Sequence, residues 1–319
     1  ESARHPSNGP MEVNEQRRSR SPANSRRRGL VYGVLAYGLW GLAPAFWKQL
    51  AHVDAPELLA HRAVWGLGTF LVLVAIAGQG EPLVRALRDR KLLGLMFVSG
   101  ALLALNWGIF VWAAIRGHLL EASLGYFINP LISVAIGTIF LRERLTRLQW
   151  IAIVLAAIGV GVLTWRAGKV PYISLLLAST FGLYGTIRKL AKVDALVGST
   201  IETALMVPIA IGYLVYDRAF GVLGHGSAAD HVLVISTGVV TAIPLILFTS
   251  AARRLPMSTV GFLQYLAPTG QFLLAVLAYG EPLAHEKLVA FGFIWTALVV
   301  FSVNLWRTAS LARAAARRS

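Results

Sequence analysis

Three ionisable side chains cluster in one apolar stretch, Glu57, His61 and Arg62, and a fourth, Glu202, stands in another. An ionisable group inside a membrane span costs about 2.5–3.5 kcal/mol on insertion scales, so by default it faces the bundle interior or water. Glu57 and His61 are four apart and share a helix face, a spacing that suits a carboxylate–imidazole proton relay. A structural, hydrogen-bonded histidine fits His61 equally. Capping fits Glu57: Asp54, Pro56 and Glu57 compose a helix start with Asp54 as N-cap and Glu57 at N3. Ser199 would cap Glu202 in the same way, shortening that span to 199–216. Arg62 lies about 9 Å below the helix start at about 1.5 Å per residue. It requires a carboxylate, backbone carbonyls or a substrate anion, and Glu57 and Glu202 are its candidate partners.

Two further stretches carry matched polar stripes. Tyr126, Pro130, Ser133 and Gly137 fall on one helix face, and Gln264, Pro268, Gln271 and Ala275 repeat the pattern. Proline frees a backbone carbonyl and bends a helix, which suits a cavity wall; close packing through small residues is the competing reading. Tyr37, Trp40, Asn106, Trp107, Asn129 and Tyr265 are candidates to stack on or hydrogen-bond a ligand. Trp47, Trp112, Trp165 and Trp306, near the ends of their stretches, read as interface anchors.

The elements that must position these residues are membrane spans. Of 319 residues, 56% are hydrophobic and 14% charged, with mean hydropathy +0.63, against about a quarter charged in soluble domains. A crossing helix needs about 20 mostly apolar residues. Ten such runs occur, at 30–47, 56–78, 92–114, 121–140, 148–165, 171–190, 195–216, 231–251, 257–279 and 287–306. Residues 1–28 and 307–319 are basic tails; the first is too polar to fold alone, and both suit a membrane surface better than nucleic acid. No polar segment with a cleavage site ends the first apolar run, so no cleaved signal peptide is expected. Of the 30 Lys and Arg, 23 fall in one alternate set of polar segments that includes both tails, 6 in the other, and Arg62 within a span. The bias predicts cytoplasmic termini.

The halves repeat. Gly38-Leu-Trp-Gly41 recurs as Gly182-Leu-Tyr-Gly185, Asp54-x-x-Glu57 as Ser199-x-x-Glu202, and Pro130 with Glu143-x-Leu145 as Pro268 with Glu281-x-Leu283. Ala113-Ala-x-Arg116 recurs as Ala251-Ala-x-Arg254. The unit, 29–166 and then 167–306, is five spans long, and an odd number inserts the second copy upside down. The expected fold is therefore an all-α polytopic membrane protein of ten transmembrane helices in two inverted five-helix repeats, with a ligand site between them near the midplane.

Several chemistries are excluded or unsupported. There is no cysteine, hence no thiolate metal site, disulfide or cysteine nucleophile. No P-loop, His-Glu-x-x-His or Gly-x-Ser-x-Gly motif occurs, so neither ATP hydrolysis nor a cofactor is expected. His225, Asp230 and His231 share a loop and read as solvated. A secondary transporter of a small solute, coupled to protons through Glu57/His61 and Glu202 or passive, is the leading expectation. An intramembrane enzyme on a lipid-like substrate and a channel are the alternatives.

Ala36-Tyr-Gly-Leu-Trp-Gly-Leu-Ala-Pro-Ala-Phe-Trp-Lys48, Glu57-Leu-Leu-Ala-His-Arg62, Asn106-Trp107 and Ser123-Leu-Gly-Tyr-Phe-Ile-Asn-Pro130 resemble the RarD, or chloramphenicol-sensitivity, group of EamA-type drug/metabolite transporters. The resemblance covers about residues 29–306. It implies ten helices in inverted repeats, a bacterial inner-membrane location and permease activity on a small organic solute, without naming the solute.

Overall fold

The computed structural model describes residues 22–116, 118–167, 171–216, 221–222, 226–280 and 285–316. Every regular element among them is helical. In chain order these are α1 (Pro22–Trp47), α2 (Ala55–Ile76), the short α3 (Gly80–Leu87), α4 (Arg90–Ile115), α5 (Leu119–Ile139), α6 (Arg147–Ala167), α7 (Tyr172–Leu190), α8 (Ala195–Tyr216), α9 (Ala228–Ala252), α10 (Met257–Gln264), α11 (Leu266–Leu273) and α12 (His285–Ala316). A 3-10 turn, Lys48–Leu50, follows α1, and a π turn, Leu274–Ala278, follows α11.

Nine stretches among the described residues are long and apolar enough to cross a membrane, α10, α11 and the π turn counting as one. The tenth expected run is α7. It has 19 residues, but Ser174, Ser179, Thr180, Thr186, Arg188 and Lys189 dilute its apolar content. Its polar face turns inward: Ser174, Thr180, Tyr184 and Arg188 are buried while Leu176, Leu183 and Leu190 are exposed. Large apolar side chains cover the exterior elsewhere too, among them Val72, Ile76, Phe97, Val154 and Val299, as a lipid-facing surface requires.

Three boundaries differ from the sequence reading. Helix α1 begins at Pro22 and takes Arg26–Arg28 into its first turns, and α12 runs on to Ala316. The latter extension follows from its alanine-rich sequence, the best helix former. The polar segment 79–91 holds α3, started at Gly80. Residues 1–21 lie outside the described residues.

The expected bend at Pro268 is a break. Proline lacks the N–H that would bond the Gln264 carbonyl, and its ring crowds that oxygen. The chain therefore tightens at Tyr265, whose N–H bonds Phe262 at 3.3 Å, before α11 begins. At Pro130, by contrast, α5 continues unbroken. There α10 crosses so closely that a Cβ on Gly261 would lie 2.7 Å from the Pro130 carbonyl oxygen. The helices that carry the two matched stripes thus pack closely against each other at this point.

The largest core cluster buries Tyr37, Phe70, Tyr184 and Phe248 among alanine, valine and leucine side chains, and Trp40, Trp107 and Phe181 pack against it while keeping some surface free.

Candidate functional site

Arg62 sits two turns into α2, and four other helices converge on it. Its guanidinium lies 4.6 Å from the ring of Trp47 at the end of α1 and 4.6 Å from that of Trp107 on α4. Its Nε donates to the Thr241 Oγ1 of α9 at 3.1 Å. Tyr126 of α5 is the titratable group that interacts with it electrostatically. Tyr126 is exposed over 41% of its surface.

Neither expected carboxylate partner reaches Arg62. Glu57 Oε1 lies 3.5 Å from His61 Nε2 and accepts the Val222 N–H at 3.3 Å. It therefore ties α2 to residue 222 instead of closing a capping box, and Asp54 at the N-cap makes no side-chain cap bond. Glu202 is engaged by Arg188, whose Nε lies 3.5 Å from Glu202 Oε1. Capping is also ruled out for Ser199 and Glu202. Helix α8 starts at Ala195, after Asp194, whose carboxylate accepts the Leu196 N–H at 2.9 Å. A full turn of helix precedes Ser199.

Arg188 is the residue that sequence reasoning misplaced most. Counted with the loop after span six, it is 0% exposed. Its Nη2 donates to the Ala195 carbonyl at 2.9 Å and to Ser199 Oγ at 3.4 Å, and its Nη1 to Met96 Sδ at 3.2 Å. Only the adjacent Lys189 belongs to the boundary. It donates to the Leu255 carbonyl and, at 3.4 Å, to that of Ala252, closing the C-terminal end of α9 where a cation is favoured.

The other candidates divide. Asn106 is committed to α7, its Nδ2 donating to the Leu177 carbonyl at 2.7 Å and Thr180 Oγ1 at 2.8 Å. Gln264 Nε2 donates to Ser133 Oγ at 3.0 Å, and Gln271 Nε2 to the Trp40 carbonyl at 3.4 Å. Tyr37 is buried against the Gln264 amide, and Tyr265 is buried beside Phe262 and Phe301, so neither ring is placed on an open wall. Asn129 is half-buried, its Oδ1 sealed and without a hydrogen bond among the described residues. Trp107 remains partly accessible against Arg62, and Trp40 and Tyr126 also keep free surface. Trp47, read as an interface anchor, and Thr241 complete the group; no spacing signal pointed to Thr241.

Glu143, noted in the sequence only as a repeat match, caps α10. Its carboxylate accepts Met257 N–H at 2.6 Å, Ser258 N–H at 2.9 Å and Ser258 Oγ–H at 2.8 Å. Its repeat mate Glu281 lies outside the described residues, as does His225. Asp230 forms a capping box with Ser227 and pairs with His52 at 3.2 Å, and His231 Nε2 meets the Val222 carbonyl. No metal-holding cluster occurs among the described residues.

Comparisons with known proteins agree with this architecture. The EamA-like transporter family matches residues 27–165. Protein RarD of Salmonella typhi is 43% identical over 284 residues, covering 88% of this chain and 97% of its own. Protein RarD of Streptomyces exfoliatus is 43% identical over 297 residues, covering 91% and 93%. The chloramphenicol-sensitive protein RarD of Pseudomonas aeruginosa is 33% identical over 301 residues, covering 91% and 98%. A crystal structure 17% identical superimposes with a TM-score of 0.69 over 86% of this chain and 97% of the other, a likeness of fold alone. With its apolar helices and bacterial relatives, the protein is a multi-pass inner-membrane transporter and not an enzyme. The chain belongs to the RarD group of EamA-type transporters.

Proposed function

We propose that this transporter is a secondary carrier that moves a small organic metabolite or drug-like solute across the inner membrane by alternating access. The observation that carries the reading is Arg62: a cation held among five helices beside an accessible Tyr126, with no carboxylate at ion-pair distance among the described residues. A half-buried cation within a span and without an acid is costly, which fits a site completed by its cargo.

The carrier has ten spans, α7 among them, in two inverted repeats. Support comes from packing. The contact of α1 with α9 has its mate in that of α7 with α4; α2 with α9 is mirrored by α8 with α4, and α5 with α7 by α11 with α1. The repeat mates Glu57 and Glu202 each meet a basic side chain, His61 and Arg188. Rocking of such halves about a shared site is the usual basis of alternating access.

The test is uptake from a metabolite extract into proteoliposomes, read by mass spectrometry with and without an imposed pH gradient. At least one unmodified solute should enter faster than in protein-free vesicles, saturably. No protein-dependent entry would sink the transporter reading, and non-saturating leak of all small solutes would favour a channel. Protons are the proposed coupling ion, acting at Glu57/His61 on one side and Glu202 on the other. Concentration of the solute should therefore follow the gradient in the wild type and vanish in Glu57→Gln. Equal accumulation with no gradient would make the carrier a facilitator.

Both termini are placed in the cytoplasm on the charge bias. Reporters fused after Arg28 and after Arg307 are expected to read cytoplasmic. Opposite readings at the two sites would remove ten spans.

A further inference from the structure

We infer that the solute this carrier recognises is a small organic anion, a carboxylate on a flat apolar body, gripped by Arg62 between Trp47 and Trp107; this rests on the transporter reading above. The two indole rings lie against the guanidinium at 4.6 Å each. They hold its plane by cation–π attraction and leave only its edges to accept a partner. One edge is occupied, with Nε bonded to Thr241. The Nη groups carry the remaining N–H donors. No hydrogen bond or ion pair to a described residue engages them, and they are not among the sealed polar atoms of the protein.

Two parallel N–H donors on a guanidinium fork match a carboxylate in bidentate geometry. The protein's own acids within these two spans are engaged elsewhere, Glu57 by His61 and residue 222, Glu202 by Arg188. Tyr126, an accessible side chain on α5, lies within electrostatic reach of the same cation. The apolar part of the solute has walls of its own chemistry: Trp40, Phe181 and Trp107 border the aromatic core with surface still free. An ammonium compound would meet a like charge there, and a neutral one would leave the guanidinium uncompensated.

The experiment uses the full-length protein in detergent and in proteoliposomes, with indole-3-acetate and 4-hydroxybenzoate as probes against their neutral amides. In wild type the carboxylates should bind, and should compete with the solute found in the extract screen, while the amides bind about 100-fold more weakly, a charge-assisted hydrogen-bond pair being lost. Arg62→Leu should lose the preference for acid over amide. Arg62→Lys, which keeps the charge without the fork, should retain part of it, and monodisperse elution of each variant secures the comparison. Amides binding as tightly as acids, or Arg62→Leu keeping the preference, would overturn the inference. A solute that crosses but is neutral or cationic, with transport intact in Arg62→Leu, would sink the anion assignment and leave the carrier standing. Acid-selective binding with no solute ever crossing would do the reverse.

Discussion

Arg188→Ala should lower the stability of the protein by about 3–5 kcal/mol, the usual cost of removing one partner of a buried ion pair and stranding the other charge. The side chain is wholly enclosed. Its guanidinium spans α7, α8 and Met96 of α4, and bonds the Ala195 carbonyl in the first turn of α8. Gly198 stands where a Cβ would come within 2.1 Å of the Arg188 Nη1, so α8 itself is shaped around this cation. The measurement is the thermal midpoint of purified protein in detergent, compared with that of the double variant Arg188→Met, Glu202→Gln. Removing both charges leaves an apolar, polar-neutral pair of similar volume, so the double variant should recover most of the loss. A double variant as unstable as Arg188→Ala would show that packing of the side chain, and not the stranded acid, carries the effect.

Gly238→Ala should disable transport and lower the thermal midpoint, although the change adds one methyl group. Gly238 lies on α9 where the helix crosses α2, and its Cβ would sit 2.3 Å from the Trp65 carbonyl oxygen and 2.8 Å from Thr69 Oγ1. The obstacle is backbone, which cannot rotate aside. Overpacking of this kind costs about 1–3 kcal/mol. It also has a functional consequence, because Thr241, one turn along α9, holds Arg62 of α2. Separating the two helices pulls that hydroxyl from the guanidinium. Val239→Ala, at a neighbouring exposed position, is the control and should leave both properties unchanged. Wild-type transport by Gly238→Ala at equal expression would mean that the α2–α9 contact does not position Arg62.

Much of the architecture was legible in the sequence because a bilayer sets a length scale and water-seeking charges mark its edges. Helix α7 shows where that logic weakens. Its inward polar face lowers its hydropathy, and Arg188, close to a helix end beside Lys189, looks like a loop residue until neighbouring helices are seen to enclose it. Arg62 stood out because a charge inside a span is rare, but its neighbours did not. Trp47 is 15 positions away and near a span end, where tryptophan ordinarily marks the interface; only the α1–α2 hairpin folds it back over the guanidinium. Tyr37 and Tyr265 could not be assigned to wall or core from a sequence apolar on all sides. The Glu143 repeat match flagged a position, whereas its task of capping α10 depends on a contact between halves that no spacing encodes.

Alternating access requires the surroundings of Arg62 to open to each side of the membrane in turn. The chain has no cysteine, so Tyr126→Cys introduces a single thiol within electrostatic reach of the guanidinium. The decisive measurement is its labelling by a membrane-impermeant maleimide, added to one face in intact cells and to the opposite face in inverted vesicles. Alternating access predicts labelling from either face, in vesicles that retain an entrapped small fluorophore throughout. Reaction from neither face would contradict a solute compartment at Arg62. Reaction from both with loss of the fluorophore would replace the carrier by an open pore.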